Sequence, residues 1–510
     1  MKAVFNKIIS TYLERRYQSV QHFMEHPIQT QLRTFNYLIG KASNTEWGKK
    51  HQYSSINSRI EFRNKVPLNE YDDLEPYILR MMNGSFNILW PGFVNWYAKS
   101  SGTTSSKSKF IPVPKENLRG CHIKGSWDVV TLLYKGRSDA RVFERKNLVM
   151  GGSLSNYEKN HMTTYGDISA IMLYNMPLIG RPFYTPDFRT ALLPNWDEKI
   201  EKMVQICSKE EVTMFGGVPS WTIVLFRKIL EATGKDNILE VWPEVQAYVH
   251  GGVGFEPYRS TFEQFIPSDD FTYLEVYNAS EGYFAIQNDL KSKDLLLLLD
   301  NGIYYEFLPM SEFEQEDART ITLEEVELDV NYAMVISTNA GLWRYMTGDT
   351  VKFTSLQPYK IKITGRTKHF INAFGEEVMV SNTDKALAMT CKEFDVEIAD
   401  YTVAPIYFSE GTKGGHQWLI EFEKNPDNLT DFSEHLDLNL QKVNSDYEAK
   451  RYKSMALENL TIEALPRHTF YKWMEKRGKL GGQNKVPRLS NNRKYVDDIL
   501  NFMSEVHGYQ

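Results

Sequence analysis

Apolar residues recur at helical spacing at the start of the chain, where polar residues that include Lys7 separate Phe5, Ile8, Ile9, Tyr12 and Leu13. Amphipathic helices show this period, and the helical pattern continues to about Leu38. Farther along, helix-like stretches at 201–207 and 220–230 alternate with apolar runs at 93–98, 212–215 and 247–249. Short apolar strands between helices predict a mainly parallel sheet with helices on both faces.

From about residue 295 the pattern changes to β. Apolar runs at 295–299 and 303–307 flank the turn Asp300-Asn301-Gly302, and runs at 334–338 and 342–345 flank Asn339-Ala340-Gly341. Turn residues between apolar runs are typical of hairpins. The pattern therefore predicts two hairpins within a β-barrel subdomain, followed by a strand at 359–364.

The pattern resets beyond Asn372. Residues 382–390 and 432–443 have helical spacing, and residues 397–404 and 417–423 resemble strands. The predicted fold class is therefore α/β, with a large N-terminal domain of layered α/β sheets that includes the β-barrel subdomain, and a small α+β C-terminal domain. We place the N-terminal domain at 1–368 and a mobile C-terminal domain at 369–510.

Composition narrows the class of protein. The 510 residues, 42% hydrophobic and 24% charged, are typical of a globular chain with two or three domains. A net charge of -6 argues against a dedicated nucleic-acid binder, although one local basic site could still bind an anion. The cysteines Cys121, Cys207 and Cys391 lie far apart, which indicates neither a disulfide framework nor a zinc site. With no apolar run near the 20 residues of a membrane span, we expect a cytoplasmic protein without membrane partners, either a monomer or a weak oligomer.

The first chemical motif is the stretch 100–109, Ser-Ser-Gly-Thr-Thr-Ser-Ser-Lys-Ser-Lys, which follows an apolar run. Hydroxyl, backbone N–H and ammonium groups can surround the oxygens of a polyphosphate. The stretch is not a Walker loop, because Ser106 stands where the second glycine would be. The simpler alternative is a solvated polar loop.

Four further motifs follow in order. Tyr277-Asn278-Ala279-Ser280-Glu281-Gly282 can offer a ring for a base, a hydroxyl for a phosphate and a carboxylate for Mg²⁺. The Gly-Asp of the block 343–349 can direct a carboxylate to a ribose. Gly365-Arg366 lies at the domain boundary, and the loop 481–488 presents Lys485 after two glycines. Each also has a plainer explanation: a polar strand end, a hairpin turn, a solvated basic turn and an exposed tail loop.

The order of these motifs resembles the acyl-adenylate-forming superfamily. Ser-Ser-Gly-Thr-Thr with the following Lys-x-Lys and Pro112, the Arg-Tyr-x-x-Gly-Asp block and the terminal Lys-x-Pro-Arg are most similar to the Gretchen Hagen auxin-responsive family of acyl acid–amido synthetases. The resemblance extends along nearly the whole chain. Two positions depart from the family pattern: Ser106 replaces a common glycine, and Asn484 precedes Lys485.

The resemblance implies that ATP activates a carboxylic acid as an acyl-adenylate, which an amine, expected to be that of an amino acid, then attacks. Tyr277 would face adenine, Ser280 the α-phosphate or carboxylate, and Glu281 Mg²⁺. Asp349 would hold the ribose, Arg366 would contact ribose or phosphate, and Lys485 would stabilise charge during adenylation. The remaining nucleotide contacts would come from a set of loop residues: Ser100, Ser101, Gly102, Thr103, Thr104, Lys107, Lys109, Gly251 and Gly252.

Two alternatives stay open at this point. An acyl–coenzyme A ligase of the same superfamily would share the first half-reaction and differ in the acceptor. A non-catalytic nucleotide-binding scaffold would have no need for all three of Glu281, Asp349 and Lys485.

Overall fold

The structure is a computed structural model. It describes residues 2–100, 109–176, 178, 180–252, 254–313, 315, 318–367, 370–371, 376, 378–407, 414–444, 447–448, 451, 457–480, 485–490 and 492–507. Within these ranges no helix is long and apolar enough to cross a membrane. Statements about the fold refer to these ranges.

Helices are distributed along the whole described chain. They are α1 (Lys2–Glu25), α2 (Pro27–Ala42), α3 (Glu46–Lys50), α4 (Arg59–Lys65), α5 (Tyr71–Met82), α6 (Lys115–Asn117), α7 (Lys124–Gly136), α8 (Ile168–Tyr174), α9 (Phe188–Ala191), α10 (Trp196–Cys207), α11 (Pro219–Thr233), α12 (Ile238–Val241), α13 (Arg259–Phe265), α14 (Val380–Phe394), α15 (Leu429–Val443), α16 (Thr469–Lys476) and α17 (Lys494–His507). A π-helix, Leu118–Ile123, runs directly into α7.

The strands concentrate in the middle of the chain. They are β1 (Trp96–Ser100), β2 (Lys109–Pro112), β3 (Lys146–Val149), β4 (Leu154–Tyr157), β5 (Asn160–Gly166), β6 (Tyr184–Thr185), β7 (Val212–Gly217), β8 (Ala247–Gly251), β9 (Thr272–Ala279), β10 (Gly282–Gln287), β11 (Leu295–Leu297), β12 (Ile303–Pro309), β13 (Asn331–Thr338), β14 (Tyr345–Leu356), β15 (Tyr359–Arg366), β16 (Phe370–Ile371), β17 (Val378–Met379), β18 (Glu397–Ile406), β19 (Gly415–Lys424) and β20 (Thr461–Leu465).

The largest sheet has the strand order β12-β13-β14-β15-β11-β10-β9-β8-β7-β3-β6. Strands β6, β3, β7, β8 and β9 are parallel, as the alternation of helices and apolar runs predicts. The rings of Phe215 on β7 and Phe226 on α11 lie 5.0 Å apart, and Phe215 stacks on Tyr248 of β8 at 4.5 Å. Aromatic packing therefore joins a helix to the parallel half of the sheet, and the α/β fold class is confirmed.

The β-rich stretch after residue 295 forms strands as expected, but one of the predicted pairings differs. Its strands continue the large sheet as an antiparallel half, and the expected β-barrel subdomain stays a prediction. The predicted hairpin of 295–299 with 303–307 is wrong, because β11 pairs with β10 and β15 while β12 pairs with β13. The second hairpin is confirmed, with Ile336 of β13 opposite Tyr345 of β14.

A smaller sheet with the order β2-β1-β5-β4 holds β1 and β2 as an antiparallel pair. A third sheet, β18-β19-β20, combines an antiparallel and a parallel pairing. Its core includes Tyr401 and Trp418, whose rings stack at 5.4 Å, together with Phe432 of α15. This sheet and its helices are the small α+β domain that the sequence predicts.

Contacts divide the chain into two compact units. The first comprises Met1–Val218, Leu225–Gly252 and Ser268–Lys362, and the second comprises Pro219–Val224, Val253–Pro267 and Ile363–Gln510. The second unit thus starts close to the expected boundary and also takes two short segments from the middle of the chain. The assignment of 1–368 and 369–510 as functional domains stays a prediction.

Candidate active site

The parallel strands of the first unit end at one edge of the large sheet. Register places Val149 of β3 beside Gly216, Gly217 beside His250, and Gly251 beside Val276 of β9. In open α/β sheets ligands bind outside the carboxyl ends of the strands. This edge is therefore the natural position for a ligand site.

Gly251 and Gly252 end β8 at this edge. A Cβ on Gly251 would lie 2.4 Å from the carbonyl oxygen of Val276, so only glycine allows the two strands to approach this closely. Gly252 has φ +87°, a left-handed conformation that glycine adopts without the strain of a side chain. The pair makes the sharp exit from the strand beside β9, where the sequence places adenine.

Tyr277 and Asp349 come from different motifs and meet directly. The Tyr277 hydroxyl donates a hydrogen bond of 2.6 Å to Oδ2 of Asp349, across 72 residues of sequence. Tyr277 is buried near the end of β9, and its ring lies 4.8 Å from that of Phe284. The structure thus joins the residue expected at adenine with the residue expected at ribose.

Ser280 and Glu281 form the two-residue turn between β9 and β10, closed by the pair Ala279 and Gly282. Both side chains are buried, at 5% and 9% exposure. Charged side chains are seldom buried unless they are paired or bind a ligand. Glu281 also has interactions within the protein, so its burial alone does not identify a ligand.

The strand behind this turn is held by Cys121 and Asn301. The Tyr283 N–H donates to Sγ of Cys121 at 3.2 Å, and the Asn301 side chain donates to the Tyr283 carbonyl at 3.3 Å. Burial raises the pKa of Cys121 to about 12, so this thiol stays protonated and acts as a packing group. Cys121 belongs to the π-helix, and such helices are frequent near functional sites.

Arg344 fixes the start of the strand that carries Asp349. Its guanidinium group donates to Glu306 at 3.1 Å, to the Val66 carbonyl at 2.7 Å and to Thr320 at 2.7 Å. Arg344 has φ +41°, a conformation that a non-glycine residue keeps only when surrounding contacts impose it. The Arg of the Arg-Tyr-x-x-Gly-Asp block is therefore a buried structural residue in this unit.

The candidate phosphate loop connects β1 to β2 within an antiparallel pair. Ser100 lies opposite Lys109 at the base of the loop, and the Lys109 ammonium lies 5.5 Å from the centre of the Tyr71 ring. The Phe110 N–H donates to the Tyr71 hydroxyl at 2.8 Å, which fixes that ring. Five of the expected phosphate contacts lie outside the described residues: Ser101, Gly102, Thr103, Thr104 and Lys107.

The two remaining site residues, Arg366 and Lys485, belong to the second unit. Arg366 ends β15, and Lys485 lies half-buried just before a segment that pairs with β18. In this segment the Val403 N–H donates to the Arg488 carbonyl at 2.8 Å, and Thr402 donates to the Pro487 carbonyl at 2.6 Å. The chain that follows Lys485 is therefore firmly anchored.

Arg488 supplies much of this anchoring. Its guanidinium group bonds Asp400, donates to the Tyr401 carbonyl at 3.0 Å and to the Tyr258 hydroxyl at 2.6 Å. The same group lies 4.4 Å from the centre of the Tyr401 ring. The Arg of the Lys-x-Pro-Arg motif thus has a structural role, three residues beyond the candidate catalytic lysine.

Lys199 of α10 is a further buried group that the sequence did not reveal. It is 3% exposed, and its Nζ donates to the carbonyls of Gly151 and Gly152 at 2.7 and 3.2 Å. These glycines follow β3 at the same sheet edge. Burial lowers the pKa of Lys199 to about 8, while Asp167 acts in the opposite direction.

The candidate site offers few protein ligands for a magnesium ion, and Mg²⁺ at nucleotide sites needs only a few. The described residues contain no group of three or more His, Cys, Asp or Glu side chains that could hold a metal. Mg²⁺ at nucleotide sites is usually held by one or two carboxylates together with phosphate oxygens and waters. The hydroxyl oxygen of Ser280 and the carboxylate oxygens of Glu281 are ligands of the kind that this mode of binding requires.

Comparison with solved structures shows the fold. The chain aligns with an acyl acid amido synthetase, GH3.15, at a TM-score of 0.77 and 16% identity, with 95% of each chain covered. It also aligns with a 2-hydroxyisobutyryl-CoA ligase in its postadenylation state, at a TM-score of 0.57, 12% identity and coverage of 96% and 93%. The fold is that of the acyl-adenylate-forming ligases.

Sequence comparison identifies the family. Models of the GH3 family match its N-terminal domain at residues 16–188 and 141–271, its central domain at 296–366 and its C-terminal domain at 381–494. The chain is 23% identical to the indole-3-acetic acid-amido synthetase GH3.3 of Arabidopsis thaliana, over 88% of this chain and 87% of that protein. It is 22% identical to the 4-substituted benzoates-glutamate ligase GH3.12 of the same plant, over 90% and 92%.

This chain belongs to the GH3 family, and the resemblance that its motifs suggested is confirmed. It is an amide-forming ligase that works through an acyl-adenylate. The roles of its individual site residues stay predictions.

Proposed function

We propose that this chain adenylates a small carboxylic acid at the carboxyl edge of β8 and β9 and transfers the acyl group to the amine of an amino acid. The hydrogen bond between Tyr277 and Asp349 is the observation that carries this proposal. It joins residues of two motifs that are distant in sequence. The contact involves Tyr277, which lies near the carboxyl end of β9 and close to the Ser280–Glu281 turn, and ligands bind at this end of the strands in open α/β sheets.

In the first step, a carboxylate oxygen attacks the α-phosphorus of ATP and the bond to pyrophosphate breaks. In the second, the amine nitrogen attacks the acyl carbon, AMP leaves with the bonding electrons, and the nitrogen loses a proton. Positioning and charge stabilisation supply most of the rate in such chemistry. Tyr277 would face adenine, Asp349 would accept from the ribose hydroxyls, and Ser280 would meet the α-phosphate or the substrate carboxylate.

The charged groups have complementary roles in this proposal. Glu281 would hold Mg²⁺, which neutralises the phosphates when bound. Lys107 or Lys109 would add positive charge at the phosphate loop. Arg366 and Lys485 would come from the second unit and stabilise charge that develops during adenylation.

The acid itself is best found by experiment. The curated relatives act, by their names, on acids as different as indole-3-acetic acid and 4-substituted benzoates, the latter joined to glutamate. An identity of 22–23% to them does not select one acid for this chain. We therefore propose a panel of indole, benzoic, phenoxy and aliphatic acids, screened by ATP–pyrophosphate exchange.

The acceptor is tested on acids that support exchange. Mixed amino acids and coenzyme A are offered in parallel, and products are identified by mass spectrometry. We expect an amide, AMP and pyrophosphate. A thioester would favour the acyl–coenzyme A ligase, whose fold the chain shares. Formation of ADP and phosphate would contradict adenylation, and nucleotide binding without exchange on any acid would favour a non-catalytic scaffold.

Tyr277→Phe tests the observation that carries the proposal. The variant keeps the ring and removes the hydroxyl that donates to Asp349. A hydrogen bond to a charged group contributes about 1.5–3 kcal/mol, so we expect KM for ATP to rise roughly tenfold or more. Tyr332→Phe is the control, because it removes a buried tyrosine hydroxyl that accepts from the Glu327 N–H near β13. Equal ATP affinities in the two variants would remove Tyr277 from the nucleotide site.

A further inference from the structure

A polar cleft of about 320 Å³ opens between the first two helices, and it shares no residue with the predicted active site. Arg15, Ser19 and His22 line it from α1, Thr30 and Arg33 line it from α2, and Asp300 lies at its border. Residues 15, 19 and 22 follow one another along one face of a helix, as do 30 and 33. Ligand pockets for small molecules start at about 300 Å³, so the size suits a small metabolite.

The cleft has an excess of positive charge. Arg15 and Arg33 are exposed, and the guanidinium group of neither makes a hydrogen bond or ion pair with any described residue. The one carboxylate, Asp300, is paired with Lys124 at 2.6 Å. Two guanidinium groups, one from each helix, are therefore available to an anion, while Lys124 pairs with the negative charge at the border.

The walls are held rigidly. The Gln31 side chain donates to the carbonyls of Leu299 and Ile303 at 2.8 and 2.9 Å and accepts from the Tyr305 N–H at 2.9 Å, which fixes α2 against β12. Arg16 pairs with Asp128 at 2.9 Å and donates to the Lys124 carbonyl at 3.0 Å, which fixes α1 against α7. A preformed site loses less entropy when a ligand binds.

We propose that this cleft binds the phosphate group of a small soluble phosphate monoester, at a site separate from the ATP site. A phosphate group has three strong acceptor oxygens, and arginine donates to them through two N–H groups at once. Arg15 and Arg33 would each engage one side of the phosphate, and the Ser19 hydroxyl would donate to the remaining oxygen. A carboxylate, with two oxygens, would leave one of these donors unused.

The test is calorimetric titration with inorganic phosphate at low ionic strength, with a non-hydrolysable ATP analogue present so that the active site is occupied. We expect one saturable site with a dissociation constant of about 1 mM or below. The Arg15→Gln/Arg33→Gln double variant should bind at least tenfold more weakly. Arg189→Gln, which removes an exposed arginine on α9, should bind as the wild type does.

Two further measurements keep the outcome clear. Thermal unfolding of the double variant should match the wild type, and Arg15→Lys/Arg33→Lys should recover part of the affinity because it keeps the charge. Absence of saturable binding in the wild type, or undiminished binding in the double variant, would overturn the proposal. Sedimentation of the wild type, but not of the double variant, with vesicles that contain a phosphoinositide would assign the cleft to a lipid headgroup and overturn the soluble ligand.

Discussion

Glu281 is a buried carboxylate at a hairpin turn. Its expected role in holding Mg²⁺ can be tested by replacing the carboxylate with an amide. Glu281→Gln keeps the shape and removes the negative charge that would hold Mg²⁺. We expect pyrophosphate exchange to fall by about two orders of magnitude or more, the range for loss of a charge-stabilising group. The defect should shrink as Mg²⁺ concentration rises, because excess metal compensates for a weakened site.

The control for this prediction is Glu198→Gln, which neutralises an exposed carboxylate on α10. Both variants should unfold at the wild-type temperature. If Glu281→Gln exchanges pyrophosphate at a normal rate, the carboxylate is a structural group of the turn.

Lys199 is expected to make the free energy of unfolding depend on pH, which can be measured without an activity assay. Burial lowers its pKa to about 8 in the folded chain, from an ordinary value of 10.5. Between these values the unfolded chain binds a proton that the folded chain does not, so the free energy of unfolding rises with pH. The contribution is flat below pH 8 and above pH 10.5, and between them it approaches about 1.4 kcal/mol per pH unit.

Lys199→Met removes this titration. We expect the difference in unfolding free energy, wild type minus variant, to increase from pH 8 to pH 10, measured by urea denaturation. Lys202→Met, on the exposed side of the same helix, serves as the control and should show no such trend. A difference that is constant with pH would mean that the Lys199 amine keeps its ordinary pKa.

At the scale of elements, local pattern predicted which residues form strands better than it predicted which strands pair. The Leu295–Leu297 strand is fully buried between two neighbours in the middle of the sheet, whereas β12 lies at its edge. The turn residues between β11 and β12 predict that these two strands pair with each other. They cannot show that β11 pairs with β10 and β15 while β12 pairs with β13. The contact of Tyr277 with Asp349 could not be predicted from the sequence for the same reason. The two residues lie in separate motifs, and only the folded sheet brings them together.

Other parts of the site were accessible to sequence reasoning. The Gly-Gly pair lies at the end of one apolar strand, β8, and the Ser-Glu turn follows another, β9. The carboxyl ends of parallel strands share an edge. Arg344 and Arg488 lie within motifs that the sequence displayed, yet their structural roles depend on partners far along the chain. Lys199 gave no signal, because a lysine in an amphipathic helix ordinarily faces solvent.

The close approach of β8 to β9 at Gly251 can be tested by adding a side chain there. Gly251→Ala would place a Cβ 2.4 Å from the Val276 carbonyl oxygen, so the strands must separate where adenine is expected. We expect a loss of about 1–3 kcal/mol in stability, as for overpacking elsewhere, together with weaker ATP binding. Gly40→Ala is the matched control, because Gly40 lies in α2 with no atom within 4 Å of its added Cβ, and the change should stabilise by about 0.5–1 kcal/mol. Unchanged ATP affinity in a destabilised Gly251→Ala would separate the glycine pair from the nucleotide site.

At the scale of the whole molecule, the residues that the sequence assigns to the site are distributed over both compact units. Tyr277, Glu281 and Asp349 belong to the first, and Arg366 and Lys485 to the second. The second unit anchors the segment after Lys485 through Arg488, so a movement of that unit would carry the lysine with it. A lysine supplied in this way would contact the reacting groups mainly during adenylation.

Lys485→Ala tests this idea. An interaction made mainly in the transition state lowers kcat and leaves substrate affinity nearly unchanged. We therefore expect normal ATP affinity by calorimetry and a fall in the rate of acyl-adenylate formation of about 100-fold or more, measured by pyrophosphate exchange on the same preparation. Lys472→Ala, at an exposed position of α16, controls for the loss of a positive charge in this unit and should exchange normally. If Lys485→Ala exchanges at the wild-type rate, or if its ATP affinity falls in proportion to its rate, then Lys485 does not act selectively in the transition state and the second unit contributes to catalysis in another way.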